Sequence, residues 1–148
     1  MPLWVIYHPP GVFEDDASKQ ALSKDITKIY TDLGRPAFYV VVNFIKLPPS
    51  DTWVGGGKRQ AKPFVRITVD HIAGRMPNEA EIHRQFTKRT DAVLKPHIED
   101  KGYDSEYHFD ETERRLWKIH GLIPPPLESE EEKTWVTENK PTPRSGAY

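Results

Sequence analysis

The run Phe38-Tyr39-Val40-Val41-Val42-Asn43-Phe44-Ile45-Lys46-Leu47 decides the fold. It is almost continuously apolar and β-branched, and Pro48-Pro49 stops it, which is the pattern of a strand buried on both faces in a parallel pair. Its natural partner is Leu3-Trp4-Val5-Ile6-Tyr7, a second apolar and aromatic run, ended by Pro9-Pro10-Gly11. Between the two, Leu22, Ile26, Ile29 and Leu33 recur at helical spacing. The acids Glu14, Asp15 and Asp16 suit the first turn of that helix, and Gly34 and Pro36 suit its end. Strand, helix and parallel strand make one β-α-β unit.

The unit recurs in pattern downstream. Phe64 to Val69 reads as a strand, and Asn78 with Glu81 three residues later reads as a capping box for a second helix striped by Ile82, Phe86, Val93 and Leu94. Pro96 ends or kinks that helix, and Gly102 precedes a more polar strand from Tyr103 to Phe109. Right-handed crossovers then give an α/β fold, an α+β sandwich of two fused β-α-β units with a four-stranded mixed sheet and two helices on one face. Residues 1–123 are expected to form this domain and residues 124–148 a Pro- and acid-rich C-terminal tail. The tail opens on Pro124-Pro125-Pro126, continues through an acidic run from Glu128 to Glu132, and contains Pro141, Pro143, Ser145 and Gly146. The acidic run reads as solvated surface, whereas Trp135-Val136 predicts that part of the tail docks on the body or on a neighbouring subunit.

A chain of 148 residues, 36% hydrophobic, 29% charged and 11% aromatic, is sized for one folded domain and is too apolar to be wholly disordered. Its 21 Lys+Arg against 22 Asp+Glu give a net charge of -1, so no overall basic field exists to hold nucleic acid or an anionic membrane. The absence of cysteine excludes disulfides, thiolate metal sites and cysteine nucleophiles. No apolar run approaches the ~20 residues that span a bilayer, and no signal-peptide stretch precedes His8, so a cytoplasmic location is expected. Gly55-Gly56-Gly57-Lys58-Arg59 lacks the Walker spacing and reads as a hairpin tip. His8, His71, His83, His97, His108 and His120 show no metal-ligand spacing on one helix, so neither a metal nor a cofactor is expected.

Pro2 is the most informative residue. Removal of Met1 would leave a secondary amine at the chain end, with a reference pKa near the α-amino value of about 7.7–8.0. Burial or a nearby cation would lower that value and make a general base usable at neutral pH. With Met1 retained, Pro2 is an amide without basicity. An amine base, a guanidinium for a carboxylate and developing enolate charge, and a phenol donor are the minimum set for moving a proton α to a carbonyl. Pro2, Arg75 and Tyr107 supply these three types.

In these residues the chain resembles the tautomerase superfamily, specifically its cis-3-chloroacrylic acid dehalogenase-like branch. The resemblance runs over roughly residues 2 to 140 and rests on order and spacing. Its marks are Pro2, Lys19-Gln20-Ala21-Leu22, Val42-Asn43-Phe44, Val54-Gly55-Gly56, Gly74-Arg75, Tyr107, Leu122-Ile123-Pro124 and Thr137-Glu138-Asn139. It implies that Pro2 is the catalytic base or acid, that Arg75 polarises a substrate carboxylate, and that Tyr107 hydrogen-bonds substrate or water. Tyr30, His71 and Lys118 are the implied substrate-binding positions. Three positions depart from the dehalogenase pattern: Tyr30 stands for a histidine, Ile72 for the first of two arginines, and Lys118 for the water-activating glutamate, with Glu113 close by in sequence. The resemblance further implies a homotrimer. The expected function is a cofactor-independent tautomerase of small enol or keto carboxylic acids. A hydratase or dehalogenase of 3-haloacrylates and a catalytically silent oligomeric binding protein are the alternatives.

Overall fold

The computed structural model describes residues 2–58, 61–72 and 74–143. Met1, Arg59, Ser145 and Gly146, which entered the readings of the terminus, the glycine loop and the tail, lie outside the described residues. Strand β1 (Leu3–His8) and helix α1 (Asp16–Thr31) lead to β2 (Val41–Lys46), and a small hairpin follows from β3 (Trp53–Val54) and β4 (Gly57–Lys58). Strand β5 (Phe64–His71), helix α2 (Ala80–Leu94) and β6 (Asp104–Glu111) form the second unit, and α3 (Glu130–Glu138) closes the chain. The main sheet has the order β2-β1-β5-β6. Within each unit the strands are parallel, and β1 meets β5 antiparallel, which makes the sheet mixed.

Alternation along the strands sends one set of side chains to the helices. Trp4 and Ile6 of β1 and Val65, Ile67 and Val69 of β5 are essentially inaccessible and pack with Leu22, Ile26 and Ile29 of α1 and Leu94 of α2. Each such aliphatic side chain contributes roughly 1.5–3 kcal/mol by leaving water. Helix α1 starts where Asp15 Oδ1 accepts from Ser18 N at 2.7 Å. That cap is worth about 1 kcal/mol.

Several expectations change in detail. Strand β2 is not buried on both faces: it is the edge strand, and Asn43, Ile45 and Lys46 are exposed. Only Val42 and Phe44, its helix-side residues, pack on the core. Phe38 and Tyr39 leave the strand altogether, because Pro36 initiates a 3-10 turn over Ala37–Tyr39 that buries Tyr39 elsewhere. The predicted capping box at Asn78 does not form. Glu79 occupies the cap position without a side-chain bond, and Glu81 instead accepts from Arg84 and Gln85 one turn on. Strand β6 begins at Asp104 and runs to Glu111, since its pairing with β5 continues as far as His71.

A second apolar cluster gathers Tyr39, Trp117 and Trp135, with Phe38, Ile72, Ile119 and Leu122 against it. Trp135 is only 1% exposed, and its indole N–H donates to Thr142 O at 2.9 Å. The acidic run is not uniformly solvated either. Glu132 is 1% exposed and pairs with Arg35.

Candidate functional site

The end of the sheet where β1 begins holds the site. Pro2 is buried, and its carbonyl accepts from Val41 N at 3.1 Å. In the antiparallel register Leu3 lies opposite Asp70, and one further step sets Pro2 beside His71. His71 in turn pairs with Glu111 across β6. Pro2, His71 and Glu111 are thus aligned across β1, β5 and β6 by register alone.

His71 is buried among the rings of Tyr30, Phe86 and Phe109, at centroid distances of 5.8, 5.6 and 6.2 Å. Its Nδ1 makes no hydrogen bond, and Glu111 Oε1 stands 3.9 Å away. Burial pushes the imidazole below its ordinary value, and the Glu111 carboxylate opposes that shift only in part. His71 is therefore neutral at pH 7. Glu111 is itself fixed by accepting from Met76 N at 2.7 Å. Tyr30 accepts from Trp4 Nε1 at 3.2 Å, and burial raises its phenol well above the ordinary range, so it stays protonated and can donate.

Tyr30 and His71 open onto a cavity of about 450 Å³, within the range of about 300–1,000 Å³ common to small-molecule sites. Tyr30 and His71 line it together with Arg75, Phe86 and Ile82. Gly74 is where the C-terminal segment closes on the β5–α2 loop: a Cβ there would stand 3.3 Å from Leu127 Cδ1. Arg75, next in sequence, is exposed and makes no hydrogen bond or ion pair among the described residues. Glu113 lies within electrostatic reach of Arg75, but its carboxyl is lowered chiefly by hydrogen bonds from Arg115.

The structure thus gathers Tyr30, His71 and Arg75 around the cavity, whereas Pro2 is set beside His71 by strand register and does not itself line the cavity. Tyr107 stands apart, four residues earlier on β6 than Glu111, where its hydroxyl donates to Asp91 Oδ1 at 2.6 Å and to Thr87 O at 3.3 Å. Burial and the Asp91 carboxylate raise this phenol, which braces the sheet against α2. Lys118 is exposed and does not line the cavity, and Ile72 packs in the second cluster. Six cavity residues lie outside the sequence reading: Arg35, Met76, Pro77, Gln85, Arg89 and Leu127. Arg89 could have been found, because it follows Phe86 by three residues on the same helix. Among the described residues no group of three or more His, Cys, Asp or Glu could hold a metal ion. No helix there is long and apolar enough to cross a membrane.

Comparison with known proteins adds a family to this geometry. The structure superposes with a TM-score of 0.90 on RhCC from Rhodococcus jostii RHA1, at 43% identity over 96% of this chain and 99% of that one. A probable enzyme from the thermophilic fungus Aspergillus fumigatus matches with a TM-score of 0.87 and 44% identity, over 97% and 98% of the two chains. N1, a member of the cis-3-chloroacrylic acid dehalogenase family, shares the fold at 19% identity with a TM-score of 0.65 over 93% and 97%. No curated protein matches the sequence significantly. The family Tautomerase_3, described as "Putative oxalocrotonate tautomerase enzyme", matches residues 1–140, and the chain therefore belongs to that family and to the tautomerase superfamily.

Proposed function

We propose that the protein is a cofactor-independent tautomerase of small keto or enol carboxylic acids, with Pro2 as the proton-transfer group after removal of Met1. The observation that carries this reading is the register of buried Pro2 beside His71, a lining residue of a cavity in which Arg75 is the one cation without a partner among the described residues. Burial disfavours the ammonium form of a terminal proline and lowers it from about 7.7–8.0 toward neutrality.

In the proposed step Arg75 binds the substrate carboxylate and the Pro2 nitrogen takes a proton from the carbon next to the ketone. The C–H electron pair becomes the new C=C bond, and the carbonyl π pair moves onto oxygen. The Tyr30 hydroxyl donates a hydrogen bond to that oxygen, and solvent protonates it to the enol; ketonisation is the reverse. Dehalogenation by water addition needs a water-activating carboxylate and a second cation, and Lys118 and Ile72 supply neither.

The face of the sheet away from the helices carries half-buried Leu3, Val5 and Tyr7, a surface suited to association with further copies. We infer a homotrimer, in line with the symmetric trimer formed by a fused 4-OT of the same fold. Intact mass and the pH profile of Pro2→Ala test the catalytic assignment together. Loss of Met1 with a collapsed rate in the variant is expected; unchanged turnover in Pro2→Ala would refute Pro2 as the proton-transfer group, and a retained Met1 with no turnover would favour a silent oligomer.

A further inference from the structure

Three guanidiniums line the cavity, and two of them already hold acids. Arg35 Nη1 donates to Glu132 Oε2 at 2.9 Å, and Arg89 Nη2 donates to Asp32 Oδ2 at 2.8 Å. Arg75 alone of the three has no partner among the described residues and is open to a ligand. The rest of the wall is dominated by Leu33, Met76, Ile82, Phe86 and Leu127.

We propose that this cavity selects monocarboxylic keto or enol acids with a bulky apolar remainder and discriminates against dicarboxylates. The proposal rests on the reading of the cavity as a keto–enol acid site and narrows it to a substrate class. A second carboxylate entering the cavity must shed its water and then compete for a guanidinium that is already neutralised. Glu132 is a strong competitor, since it is buried and its Oε2 also accepts from Glu128 N at 2.7 Å. Asp32 is held in place by Lys28 Nζ at 2.6 Å as well as by Arg89. A phenyl or branched alkyl group pays no such penalty and displaces water from the apolar wall. A three-carbon acid leaves most of the space unfilled.

The test compares turnover of phenylenolpyruvate and 2-hydroxymuconate by the full-length protein, alongside calorimetric binding of their unreactive counterparts 3-phenylpropanoate and adipate. A preference of at least about tenfold for the aromatic member is expected in both. Asp32→Asn, a surface change, releases Arg89 and should raise adipate affinity several-fold; Glu132→Gln should do the same through Arg35. Equal or better binding of adipate by the unaltered protein overturns the proposal, as does an Asp32→Asn variant with unchanged adipate affinity. Tighter binding of 3-phenylpropanoate with turnover of neither enol would remove the proposed reaction and still support the ligand class.

Discussion

Glu132 and Arg35 are 97 residues apart in the chain and 2.9 Å apart in space. This contact ties the C-terminal segment to the loop after α1 and draws Leu127 into the cavity wall. Arg114 stands 3.9 Å from the other carboxylate oxygen. Burial, and next the Glu132 charge, push the Tyr39 phenol up to about 12. Removing Glu132 leaves Arg35, whose side chain is only 14% exposed, with only the distant Glu128 carboxylate at 4.0 Å. Glu132→Ala should therefore lower stability by about 3 kcal/mol, the low end for breaking a buried pair. Urea unfolding measures it, and a loss below about 1 kcal/mol would mean that the segment is held by Trp135 alone.

Trp135 offers the complementary test. It packs edge-on to Tyr39 at 6.2 Å and obliquely to Phe38 at 5.8 Å. Trp135→Ala should cost about 3–5 kcal/mol and should expose the segment from Pro126 onward to protease. Limited proteolysis that finds this segment as resistant as before would contradict the packing role.

His71 gives stability a pH dependence with a definite sign. Burial lowers its folded-state value below the ordinary one of about 6.5, so between the two values the unfolded chain binds the extra proton. Stability is accordingly full above the unfolded value and declines as pH falls through about 6.5 toward the folded value, then levels off for this group. His71→Gln should flatten the unfolding free energy between pH 7 and pH 5. Denaturant titrations at several pH values show whether the slope in that window survives the substitution.

Much of the fold was legible because its signals are local. The strand runs after Pro2 and through Val42, the Leu22-Ile26-Ile29 stripe and the acids before α1 each follow from burial or from the helix dipole acting on near neighbours. The errors occur where tertiary context decides. The apolar content of Phe38 to Leu47 does not reveal that Tyr39 turns away into a second cluster, because its partners Trp117 and Trp135 are distant in sequence. The chemistry divided in the same way. Pro2 and Arg75 are marked by the terminus and by Gly74, whereas the pairings Arg35–Glu132 and Arg89–Asp32 exist only once the chain has folded. Likewise, a run of glutamates contains no sign that Glu132 alone is buried.

Arg75 and Tyr107 allow the proposed substrate contact to be separated from bracing. Arg75 lines the cavity without a partner among the described residues, so truncating it removes a contact only when a carboxylate is bound. A charge-assisted hydrogen bond is worth roughly 1.5–3 kcal/mol, and Arg75→Ala should reduce kcat/KM for a keto acid by about ten- to a hundredfold while leaving the unfolding transition in place. Tyr107 is committed to Asp91 Oδ1 at 2.6 Å across the sheet–helix interface. Tyr107→Phe should therefore show the reverse pattern: a stability loss of about 1–3 kcal/mol from the broken bond to a charged acceptor, and a change in kcat/KM of only a few-fold. Parallel kinetics and denaturation of the two variants make the distinction. A collapse of turnover in Tyr107→Phe at unchanged stability would place that hydroxyl on the substrate, and would require it to reach a site other than the cavity of its own chain.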